Sequence, residues 1–161
     1  MQNMLIKNGN PKLVPKPATL ILVPRSDGRA LKFKNFESTG KFKMELTSHS
    51  ELGLKMGHVV EGEQHSHDQE AFLQLCGAHE ADSAQFIDGD IKVNGFALTV
   101  VAGAAKGRLV ILTSHEGAHK FQIQKDGTIT NCEFAVGYGQ PALETDEGKE
   151  SYERFLTYKN L

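Results

Sequence analysis

The chain has 161 residues, 39% hydrophobic and 24% charged, the size and balance of one globular domain that can bury a core. It holds no run of about 18 apolar residues such as a membrane helix needs, and MQNMLIKNGNPKLVPKP shows no signal peptide. The expectation is therefore a cytoplasmic or otherwise intracellular protein with no membrane partner. The net charge of −2 divides unevenly: residues 1–44 carry nine Lys/Arg against two acids, a balance of +7, which leaves −9 for the remainder.

TLILV (19–23) is an apolar run short enough for a buried strand, closed by the turn residues of PRSDG. ALKFK (30–34) and KFKMEL (41–46) alternate cleanly, and ESTG between them suits a hairpin loop. That hairpin would place Leu31, Phe33, Phe42, Met44 and Leu46 on one face and Lys32, Lys34, Lys41 and Lys43 on the other. A helix is predicted near residues 66–79, where Phe72, Leu75, Cys76 and His79 recur at helical spacing and Ser66 or Asp68 can cap the start.

Strands follow in FIDGDIKVNGFALTVV, GRLVILTS, HKFQIQ and TITNCEFAV, with QKDGT (124–128) as a strong turn signal. GAAKGR (103–108) lacks the Walker spacing and reads as a hairpin connection, and VGYGQP as a turn ending the β region. TDEGKESYERFLTYKNL is a second helix: Thr145 can cap it, Asp146 and Glu147 complement its dipole, and Tyr152, Phe155 and Leu156 form an apolar stripe. Gly148 weakens that helix by roughly 1 kcal/mol relative to Ala. The predicted fold is α+β: a single domain over residues 1–161, mainly antiparallel β-sheet, with one internal helix and one C-terminal helix.

QHSHDQE (64–70) is the stretch with the clearest chemistry. Two histidines one residue apart on a strand point the same way and can share an ion, and a nearby carboxylate can add a third ligand. His65, His67 and Glu70 form such a trio, with His115 or His119 of SHEGAH as a further ligand. The segment resembles the first cupin motif, in which His-x-His is followed by three or four residues, Glu, six more residues and Gly. The six-residue gap to Gly77 matches, and the gap from His67 to Glu70 is one residue short. The resemblance implies a site for one divalent transition metal.

A nucleophile reading uses Cys76, His119 and Asn131. Their order, and the outline of GAHKFQIQKDGTITN, resemble papain-like hydrolases, in which a nearby His generates the thiolate and Asn orients the His. Such a nucleophile belongs at the start of a helix, whereas Cys76 falls toward the end of the predicted one. Two cysteines, Cys76 and Cys132, are too few for a disulfide framework, although they could form one bridge if the fold brought them together; reduced thiols are the simpler expectation.

Lys32, Lys34, Lys41 and Lys43 on one face of a basic N-terminal hairpin would suit a weak anionic partner through sequence-independent contacts. Phe33 and Phe42 face the other way and cannot stack on bases. Since each catalytic constellation fails a geometric requirement, the sequence favours a non-catalytic binding or assembly protein, acting on a protein partner or by self-association. The alternatives are a cupin-like metal protein and a Cys76–His119 hydrolase.

Overall fold

The structure, a computed structural model, describes residues 19–34, 40–61 and 68–159. Short strands joined by tight turns dominate it. β7 (Ser83–Ile87), β8 (Asp90–Val93) and β9 (Phe96–Val100) are linked by two-residue loops, Asp88-Gly89 and Asn94-Gly95. All four loop residues have positive φ, from 51° to 86°, the geometry whose twist matches flanking antiparallel strands and which Asp, Asn and Gly tolerate best. The QKDGT turn forms where the sequence places it, with the Gln124 N–H donating to the Thr128 carbonyl at 2.9 Å.

The remaining strands are β1 (Thr19–Pro24), β2 (Lys41–Lys43), β3 (Leu52–Met56), β4 (Val60–Glu61), β5 (Gln69–Ala71), β6 (Leu73–Gly77), β10 (Val110–Thr113), β11 (Gln122–Ile123), β12 (Ile129–Asn131) and β13 (Phe134–Gly139). They pair in the orders β1-β13-β12-β11, β2-β7-β8-β9-β10-β5-β4 and β3-β6, antiparallel throughout. VGYG is thus strand rather than turn, forming the end of β13, the last strand among the described residues.

Further backbone bonds join these groups. Leu22 of β1 donates to the Arg108 carbonyl at 2.9 Å and accepts from the Gly107 N–H at 2.7 Å. Leu31 donates to the Val136 carbonyl, and Lys34 to that of Glu45. Hydrogen bonding therefore runs round a circuit: β10, β1, β13, residues 30–34, residues 44–46, β2, β7, β8, β9 and back to β10. Leu22, Leu31, Met44, Ile91, Leu98 and Leu112 are buried in the apolar cluster it encloses. Each such side chain contributes roughly 1.5–3 kcal/mol of transfer free energy.

α1 (Asp146–Lys159) packs outside this circuit. β10 turns Val110 and Leu112 into the main core, while Leu109 and Ile111 form a second cluster with Val101, Phe155 and Tyr158. Thr145 caps the helix as its sequence implies, its hydroxyl accepting the Gly148 N–H at 3.0 Å. The fold is α+β and mainly antiparallel, with this one α-helix among the described residues.

Two expectations are corrected. Of the internal helix expected near 66–79, the described residues 68–79 form no α-helix: residues 69–71 and 73–77 are β5 and β6, followed by a 3-10 turn, Ala78–Glu80. The segment alternates instead, with Ala71 and Leu73 buried inward and Phe72 packed toward α1. The basic hairpin also differs. Leu31, Phe33, Phe42, Met44 and Leu46 are all buried, as the alternation implies, but Phe33 bridges to Leu46. Lys34 therefore faces Glu45, with 3.1 Å between charges, and Lys32 lies beside Thr47, so neither opposes Lys41 or Lys43. Most of the ESTG loop lies outside the described residues.

Candidate functional site

The outward face of β5, β10 and β9 carries the side chains that alternation denies to the core: Glu70, Ile111, Thr113 and Thr99. Asp68 precedes β5 beside them. α1 contributes Glu150 and Arg154, and residues 115–119 contribute His115 and His119. Together these enclose a cleft of about 230 Å³.

Glu70 is held from the helix. Arg154 Nη1 pairs with Glu70 Oε1, and the Tyr158 hydroxyl donates to the same oxygen at 3.0 Å. The Arg154 and Glu70 side chains are only 7% and 13% exposed. Two charges taken from water need such mutual pairing to persist. Burial first, and then the charge of Glu70, push the Tyr158 hydroxyl well above the ordinary tyrosine range. At the mouth of the cleft, His115 Nδ1 lies 3.0 Å from Asp68 Oδ2, and the His115 N–H donates to Thr113 Oγ1 at 3.0 Å.

His119 is fixed more tightly. Its backbone N–H donates to Thr99 Oγ1 at 3.2 Å, its Nδ1 lies 2.9 Å from that hydroxyl, and the Val100 N–H points to Nδ1 at 3.3 Å. A backbone N–H can only donate, so Nδ1 is the acceptor and the neutral ring carries its proton on Nε2. Held this way, His119 offers a hydrogen-bond donor; it has no lone pair on Nε2 for a metal or for a nucleophile's proton.

The predicted site residues are thus distributed as follows. Glu70, His115 and His119 line one cleft. His65 and His67 lie outside the described residues. Cys76 is in β6 opposite Gly53, away from the cleft lining, and no hydrogen bond joins it to His119. Burial raises the Cys76 thiol pKa, with Lys55 the largest opposing influence, so the local environment disfavours a thiolate. Asn131 Nδ2 donates to the Lys120 carbonyl at 2.6 Å, securing the backbone after His119 rather than its ring. Both cysteines are free thiols.

Among the described residues, no three His, Cys, Asp or Glu side chains are grouped to hold a metal ion. Arg154, Tyr158, Thr99 and Glu150 were not expected at the site. One signal could have found Arg154: it falls on the face of α1 that buries Ser151, Phe155 and Tyr158, and a cation there requires a carboxylate. No protein-family model, curated protein or solved structure matches the chain.

Proposed function

We propose that this chain is a non-catalytic binding protein whose cleft receives a small cationic molecule of the alkylammonium class. The observation that carries this reading is the state of the ionisable groups in the cleft. His119 has its proton fixed on Nε2 by Val100, and Glu70 is engaged by Arg154 and Tyr158. Neither group is poised as a general base. Asp68, Glu70 and Glu150 outnumber Arg154, the one Lys or Arg in the cleft lining, by three to one, which favours a cation.

Titration of the 15N-labelled protein with putrescine, with acetate as comparator, tests the reading. Putrescine should shift the amide signals of Thr99, Val100, Thr113 and Gly117, and the variant Asp68→Asn with Glu150→Gln should lose the response. Shifts with acetate alone, or none with either, would reject the ligand class.

A second reading, one divalent transition metal, is favoured by a specific contact. Asp68, the residue after His67 in the chain, lies 3.0 Å from His115 Nδ1. A carboxylate against one ring nitrogen is also how metal-binding histidines are commonly oriented. Plasma mass spectrometry of purified protein should then find one equivalent of metal, lost in both His67→Ala and His115→Ala. Metal-free wild-type protein retires this alternative.

A further inference from the structure

A second surface, independent of the cleft, lies on the outward face of β2, β7 and β8. Lys41 pairs across Gln85 with Lys92, and Lys43 pairs with Ser83. These side chains border a shallow groove of about 660 Å³ lined by three lysines and no carboxylate. Among the described residues Lys41 and Lys92 form no ion pair, while Lys34, Lys120 and Arg29 each pair with an acid nearby. The aliphatic side chain of Ile87, 44% exposed, borders the same groove.

The opposite chemistry stands on the outer side of α1. Asp146 and Glu153 stand exposed at i and i+7, with Glu147 beside them and Lys149 the one cation in that stretch, while Glu150 between them borders the cleft. Leu143, just ahead of the helix, is 52% exposed. The two surfaces match in scale. Asp146 and Glu153 are about 10 Å apart along the helix axis, at 1.5 Å per residue. Lys41 and Lys92 are also about 10 Å apart, across two strand spacings.

We propose that the Lys41–Lys43–Lys92 sheet face docks the acidic ridge of α1 from a second copy of this chain, with Ile87 and Leu143 as apolar contacts at the edge. A polyanion fits less well. The remainder of the chain is acidic, and Phe42 points into the core, so bases find no ring to stack on. Because the two surfaces differ, the contact is head to tail: a pair leaves one face of each kind free, one on each copy, and the assembly grows as a ring or a filament.

Sedimentation analysis of the full chain tests this. At about 10 mM salt, where the Debye length is roughly 30 Å, the average mass should exceed the 17.7 kDa monomer. At about 1 M salt, where that length is roughly 3 Å, it should return to monomer. One variant carries Lys41→Glu with Lys92→Glu, the other Asp146→Lys with Glu153→Lys; circular dichroism verifies that both fold. Each alone should associate at least about tenfold more weakly, and an equimolar mixture should regain association because each supplies the face complementary to the other. Wild-type protein that stays monomeric at low salt overturns the proposal, as does association that neither variant weakens. Low-salt binding of a labelled DNA oligonucleotide that the lysine variant loses, without self-association, would reassign the face to a polyanion.

Discussion

Cys132 occupies the first position of the two-residue turn between β12 and β13 at φ 54°, a left-handed conformation that a Cβ penalises by roughly 1–2 kcal/mol. Glycine would relieve that strain and give back roughly 0.5–1 kcal/mol through the greater freedom of the unfolded chain. Strain relief wins, so Cys132→Gly should stabilise the protein by about 0.5–1 kcal/mol, a rise of a few degrees in Tm at this size. Thermal unfolding by circular dichroism measures it, and an unchanged or lower Tm contradicts the argument. At this scale the sequence reveals some things and hides others. Asp-Gly and Asn-Gly announce their turns because the residue types themselves tolerate positive φ. The proton position on His119 depends on a strand amide nineteen residues earlier, which no local pattern encodes.

At the scale of elements, α1 was legible because its cap and its apolar stripe lie within one short stretch. Gly148 shows where such local reasoning fails. Propensity alone predicts that Gly148→Ala stabilises the helix by roughly 1 kcal/mol. A Cβ there would stand 2.7 Å from the carbonyl oxygen of Ala142, whose own N–H is tied to Gly107. That backbone cannot move without breaking its hydrogen bond, and overpacking of this kind costs roughly 1–3 kcal/mol. Urea unfolding should therefore find Gly148→Ala destabilised by up to about 2 kcal/mol, the overpacking cost less the propensity gain; any gain would mean that the loop yields. Residues 68–79 were misread for a related reason. Phe72, Leu75, Cys76 and His79 satisfy a helical period, yet Ala71, Leu73 and Leu75 satisfy a strand period equally well. Pairing of β5 with β10 and of β6 with β3 decided between them, and those partners lie some twenty to forty residues away.

At the scale of the whole molecule, the circuit closes where β1 meets residues 107–108, a junction between segments more than eighty residues apart that composition and periodicity do not expose. α1 lies across the adjoining strand, its Ser151 hydroxyl accepting the Leu109 N–H at 2.6 Å and its Arg154 and Tyr158 engaging Glu70. This attachment makes stability depend on alkaline pH. Tyr158 is 3% exposed, and burial, followed by the neighbouring Glu70 charge, raises its pKa in the folded state above the unfolded value near 10. Above that pH the folded chain retains a proton that the unfolded chain releases, so stability falls as pH rises. The contribution of the hydroxyl is complete below about pH 10 and is lost as pH climbs toward the folded pKa. At about pH 8, Tyr158→Phe should be less stable than wild type by roughly 1–3 kcal/mol, the worth of a hydrogen bond to a charged acceptor. Between about pH 10 and 11 that deficit should shrink, because only the wild type has a phenol left to titrate. Subtracting the two unfolding curves removes the lysines and other groups that titrate in both proteins. A deficit that stays constant across the range would mean that Tyr158 ionises no less readily in the folded chain than in the unfolded one.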